Sequence, residues 1–268
     1  MISVKSIELP NRVRLPFVDK GEPSGVPVVL LHGYADSWRS FEPLLPHLPR
    51  SMRTLALTQR GHGDASRPAD GYRVDDFAAD LTAFMDALHL EAAVIIGGSS
   101  GGLVARRFAI DHPERVLGLV LLGSPLTLRG NPRVQALLDS TLSKLTDPID
   151  PVFVREFLQS TLVQPVPQAF LDSMVRESLK VPARVWTATF EGLLLDDSSR
   201  ELEKIRAPTL IVWGDLDVIV PQSDQEVLAT SIAGSRLLVY PGAGHALYWE
   251  QPSRVASDII ALVRGITE

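Results

Sequence analysis

Six short apolar runs interrupt this chain, at 28–31, 55–57, 94–96, 116–122, 209–213 and 237–240. None of them alternates with polar residues. A strand covered on one face alternates with period two, so unbroken runs of Val, Ile and Leu fit strands covered on both faces, as in a parallel sheet. Parallel strands need crossovers, and helical patterns lie between the runs. The clearest is Val74, Phe77, Ala78, Leu81, Phe84, Met85 and Leu88, spaced i, i+3, i+4, i+7, with Asp75 and Asp76 in its first turn. Others lie at 38–48, 100–112, 222–231 and 253–264. Two alternating stretches, 3–9 and 12–18, read as an N-terminal hairpin. The class expected is α/β, a doubly wound and mostly parallel sheet of about eight strands with right-handed crossovers.

The alternation stops between 126 and 206. Four helical patterns (134–145, 152–162, 168–180 and 183–194) follow one another there, punctuated by Pro148, Pro151, Pro165, Pro167 and Pro182. This segment is expected to be a helical cap, or lid, inserted into a core made of 1–125 and 207–268. A length of 268 residues suits one such domain with its insertion.

Composition removes several function classes. There is no cysteine, which excludes disulfides, thiolate metal sites and a cysteine nucleophile. The formal charge is −6 with no basic cluster, so neither nucleic acid nor an anionic membrane surface is an expected partner. The longest apolar run, 116–122, is far too short to span a bilayer. The N-terminal MISVKSIELP has no apolar signal core, and a cytoplasmic location is expected. Oligomeric state is not legible.

The stretch 94–105, VIIGGSSGGLVA, reads as a buried strand, a Gly/Ser turn and a helix. A serine hydroxyl becomes a useful nucleophile when a tight turn exposes it to a base, and such a turn needs small residues two before and two after. G-x-S-x-G fits twice: Ser99 lies between Gly97 and Gly101, and Ser100 between Gly98 and Gly102. A phosphate-cradling turn is the rival reading, but neither G-x-G-x-x-G nor a P-loop lysine is present.

This segment resembles the nucleophile elbow of the α/β-hydrolase family, and the resemblance extends over nearly the whole chain. Aligning Gly101-Gly102-Leu103 with the family's tail implies Ser99 as nucleophile, with Ser100 the alternative. Val28-Val-Leu-Leu-His-Gly-Tyr34 is similar to the family's strand ending in His-Gly, which implies an oxyanion hole from the backbone N–H groups of Tyr34 and Ser100. His32 then shapes that loop. The segment 59–66, QRGHGDAS, resembles the family's R-G-x-G-x-S turn but departs at Thr58 and in the spacing from Gly63 to Ser66. His62 reads as a loop residue. In 210–221, LIVWGDLDVIVP, the family's G-x-x-D spacing implies Asp217 as the acid, with Asp215 as rival. In 240–252, YPGAGHALYWEQP, it implies His245 as the base.

The family order Ser, Asp, His implies acyl transfer through an acyl-enzyme, without metal or organic cofactor, and activity that falls once the imidazole is protonated. The expected substrate is a small apolar carboxylic ester. Carbon–carbon hydrolysis, lactone opening, amide cleavage and perhydrolysis stay open, as does a ligand receptor on the same fold. Trp38, Leu126, Trp186, Phe190 and Leu247 are candidates for the pocket wall. A nucleotide-binding Rossmann domain would need an acid near Thr58-Gln59 and is disfavoured.

Overall fold

The computed structural model describes residues 3–267. Its eight strands are β1 (Val4–Glu8), β2 (Arg14–Lys20), β3 (Val26–Leu31), β4 (Met52–Leu57), β5 (Ala93–Gly98), β6 (Val116–Leu122), β7 (Thr209–Gly214) and β8 (Arg236–Tyr240). They form one sheet in the order β1-β2-β4-β3-β5-β6-β7-β8. The hairpin strand β2 pairs antiparallel with both β1 and β4. All other pairings are parallel. The apolar runs account for this arrangement: Val28–Leu31 and Val94–Ile96 have no exposed surface at all. Edge strand β8 is the exception, with Arg236 and Val239 open to solvent.

Strand order reverses between β3 and β5, since β4 lies on one side of β3 and the later strands on the other. Open α/β sheets bind ligands outside the C-terminal ends of strands at such a reversal. Helices α1 (Val74–Ala87) and α2 (Gly101–Asp111) pack together, and α2 lies on β5 and β6. The apolar face of α1, including Phe77, Leu81, Phe84 and Met85, is buried, and Asp76 Oδ2 accepts the Arg73 N–H at its start. The pattern at 38–48 does not form the helix its spacing suggests. It makes two short 3₁₀ turns, Trp38–Phe41 and Leu45–His47, because Pro43 and Pro46 remove the N–H groups that an α-helix needs.

Between β6 and β7 the described chain is helical, with α3 (Pro132–Ser140), α4 (Pro151–Gln159), α5 (Gln168–Ser178) and α6 (Ala183–Leu194). Two of these stop short of their apolar patterns, and hydroxyl side chains bond carbonyls of their last turns. Ser140 Oγ donates to the Ala136 carbonyl, and Ser160 and Thr161 hydroxyls donate to the Phe157 and Leu158 carbonyls. Side-chain donors thus take over where the helix ladder ends. Two further helices flank β8: α7 (Gln222–Ser231) before it, and after it the short α8 (Leu247–Glu250), which leads into α9 (Pro252–Thr267). No helix among the described residues is long and apolar enough to cross a membrane.

The loop after β4 is tied to α1 by a buried ion pair. Arg60 donates from Nε and Nη2 to the two oxygens of Asp80, both at 2.6 Å, while its Nη1 donates to the Gly71 carbonyl. Asn11 Nδ2 adds a third donor to Asp80 from the hairpin side. Removing one partner of such a pair strands the other charge in the interior. Asp80→Ala should lower the unfolding free energy by about 3–5 kcal/mol in urea titration; a loss below about 1 kcal/mol would contradict this role.

Candidate active site

Strand β5 delivers Ser99 into a left-handed backbone conformation, φ +50°, directly before α2. Such a conformation is costly outside glycine and persists only where the surroundings hold it. The surroundings here are backbone atoms at close quarters. A Cβ on Gly97 would lie 2.4 Å from the Gly101 carbonyl oxygen, and one on Gly101 would lie 2.3 Å from that of Leu31. Only glycine fits at either position. Ser100 has ordinary helical angles, φ −61° and ψ −25°, so of the two serines it is Ser99 that occupies the strained turn.

His245 reaches this serine from the loop after β8. Its Nε2 lies 2.8 Å from Ser99 Oγ, and its Nδ1 lies 2.8 Å from Asp217 Oδ2. A carboxylate can only accept, so Nδ1 carries the proton and Nε2 is left to accept from the serine hydroxyl. The second oxygen of Asp217 is held by the Ile219 and Val220 N–H groups at 2.8 and 2.9 Å. The rival acid, Asp215, points elsewhere and accepts the Gly242 N–H at 2.6 Å, shaping the turn that precedes the histidine.

Tyr34 and Ser100 both border the cavity above Ser99. Neither of their backbone N–H groups has a partner among the described residues. The Ser100 N–H also sits at the positive end of α2. His32 braces the first of these loops. Its Nδ1–H donates to the Gly33 carbonyl, its Nε2 accepts the Gln59 N–H, and Gln59 Nε2 donates back to the His32 carbonyl. Burial pushes the His32 imidazole well below its ordinary range. His62 is likewise buried and pushed down to about 4, with Nδ1–H donating to the Arg60 carbonyl. Among the described residues, no group of three or more His, Asp or Glu side chains is arranged to hold a metal ion.

The family model described as "alpha/beta hydrolase fold" matches residues 26–252. The chain belongs to the α/β hydrolase family. It is 33% identical to a pimeloyl-[acyl-carrier protein] methyl ester esterase of Neisseria meningitidis, covering 90% of this chain and 92% of that one. It is 31% identical to a putative non-heme chloroperoxidase of Synechocystis sp., covering 87% and 89%. Among solved structures, an esterase from Exiguobacterium antarcticum superposes with a TM-score of 0.87 at 26% identity, covering 98% of this chain and all of that one.

In this α/β hydrolase the cavity above Ser99 has a volume of about 300 Å³. Its walls are mainly apolar, with Phe157 and Leu158 from α4, Phe190 and Leu193 from α6, Ile219 from the loop after β7 and Trp249 from α8. Of the five residues expected in its wall, Phe190 alone lines it. Trp186 is completely enclosed and props the wall from behind, its ring edge-on to Tyr34 at 5.1 Å and to Phe157 at 5.4 Å. Trp38 lies beneath the Arg39 guanidinium, and its backbone N–H donates to Thr58 Oγ1. Leu247 is core. Leu126 is gripped through its backbone, N–H to Asp224 and carbonyl from Arg106, and its side chain packs on the core instead. The sequence reading overlooked Asp36, which also lines the cavity. A lone acid within four residues of His32-Gly33 was the available signal.

Keeping His62 neutral has a measurable consequence. Its folded value lies below the unfolded one near 6.5, so its contribution to stability is present above that pH and declines as pH falls towards about 4. At pH 5.5 the His62 ring should therefore give the NMR shifts of a neutral Nδ1–H tautomer; imidazolium shifts at that pH would contradict the burial described.

Proposed function

We propose that this protein is a serine hydrolase that cleaves a small apolar carboxylic ester through an acyl-enzyme intermediate. The observation that carries this reading is the unbroken series Ser99 Oγ, His245 and Asp217, with both links at 2.8 Å. In the first step His245 Nε2 takes the Ser99 proton as the serine oxygen attacks the ester carbonyl. The Tyr34 and Ser100 N–H groups stabilise the oxyanion, a contribution of roughly 3–4 kcal/mol for each well-placed donor. The imidazolium then returns its proton to the departing alcohol. Water attacks the acyl-enzyme with His245 again as base, and the acid product leaves. Asp217 fixes the tautomer throughout, because its two oxygens are already committed to Nδ1–H and to the Ile219 and Val220 amides.

The helical segment 126–206 acts as the cap in this reading. It is supported by the apolar wall that α4 and α6 contribute directly over the serine. The relatives include an esterase and a chloroperoxidase by name, and the first fits an ester substrate. The cavity's apolar lining favours an ester over a strongly hydrated substrate.

With p-nitrophenyl butyrate, Ser99→Ala should lower kcat/KM by about 10³-fold or more while leaving Tm nearly unchanged. Ser100→Ala should keep most of the activity, and the opposite pattern would move the nucleophile to residue 100. Asp217→Asn should cost about 10⁴-fold through the wrong tautomer. The same change at Asp215 should be far milder, and equal losses would contradict the assignment.

A further inference from the structure

One carboxyl in the cavity wall takes no part in the chemistry above. Asp36 is 5% exposed and lines the cavity together with Gly33 and Ser99. A Cβ on Gly33 would lie 3.2 Å from Ser99 Cβ and 3.5 Å from Asp36 Oδ2, so the carboxyl and the serine flank the same small space. Oδ2 accepts from Ser40 Oγ at 2.9 Å, and Ser40 Oγ accepts the Trp249 Nε1–H at 3.1 Å. Indole only donates, so the hydroxyl proton of Ser40 is directed at Asp36. Oδ1 has no hydrogen-bond partner among the described residues. Burial raises this carboxyl to about 7, with His245 and Tyr248 as the titratable groups in electrostatic reach.

At pH 8 the acid is therefore a buried anion offset by a single neutral hydrogen bond. None of the residues lining the cavity is a lysine or arginine. A second carboxylate entering this space would give up its hydration, meet no counter-charge and face Asp36 at short range. Coulomb repulsion over several ångströms is relieved when Asp36 takes up a proton, so one pH unit above its value of about 7 the penalty is limited to about tenfold in binding. Uncharged substrates pay no such cost.

We propose that Asp36 is a charge-selecting residue of the substrate pocket, admitting uncharged esters and rejecting esters whose acyl chain carries a carboxylate. The proposal rests on the serine-hydrolase reading of the same site and specifies its substrate class.

Dimethyl glutarate and monomethyl glutarate test it, because they share one acyl skeleton and differ in charge. Methanol release is followed at pH 8. The wild-type kcat/KM should favour the diester by about tenfold or more, beyond the factor of two for its two ester groups. Asp36→Asn keeps an oxygen to accept from Ser40 and should narrow that ratio by about fivefold to tenfold. Comparable wild-type rates on the two esters would overturn the proposal. So would a ratio in Asp36→Asn within about twofold of wild type. If Asp36→Asn fails to fold, Asp36→Ser is read by the same criterion. Ser99→Ala serves as the separate control: methanol release surviving in that variant would sink the hydrolase reading, whereas the ratio alone judges Asp36.

Discussion

The imidazole of His245 sits between two groups that arrive from opposite sides of it, and the architecture is arranged to let that happen. Ser99 leaves the sheet after β5, Asp217 after β7 and His245 after β8, all at the C-terminal edge. Within this set of strands, β6 separates β5 from β7, which leaves space above the sheet for a ring between the hydroxyl and the carboxylate. A shift of one residue in any of these loops would turn a side chain to the wrong face. The 2.8 Å links therefore depend on the register of a sheet whose central strands are themselves fixed by burial on both faces.

Loop contacts then hold the ring in place. Glu250 accepts the Gly244 N–H with one oxygen, and the Val163 and Gln164 N–H groups with the other. The Ala246 N–H donates to the Thr161 carbonyl. The histidine loop and the end of the α4 segment are thus bound to each other. The same contacts therefore tie the cavity wall to the candidate base, positioning the chemistry and shaping the space above it. Catalytic geometry of this kind loses rate steeply when displaced by about an ångström.

Much of this could be read before any coordinates, and the reason is physical. Unbroken apolar runs mark strands of a parallel sheet whatever else surrounds them, and β3 to β7 followed from 28–31, 55–57, 94–96, 116–122 and 209–213. The 38–48 pattern misled because apolar spacing was weighed above Pro43 and Pro46. Ser99 and Ser100 have equivalent flanking glycines, and what separates them is a backbone angle that composition does not display. The pocket wall was the least legible part. Trp186 and Phe190 share one face of α6 and both rings pack against Tyr34, yet Trp186 is wholly enclosed while Phe190 faces the cavity. That difference is made by packing between distant segments. Asp36 went unread for a related reason: a loop acid beside a glycine looks like turn chemistry until its burial and neighbours are known.

The proposed chemistry requires an activated serine at one position only, and covalent labelling reports this directly. The folded protein would be treated with a fluorophosphonate near pH 8 and the adduct located by peptide mass spectrometry. The account predicts a single modification on Ser99, absent when the protein is first unfolded or when His245 is replaced by Ala. An adduct on Ser100, or none on the folded protein, would contradict it.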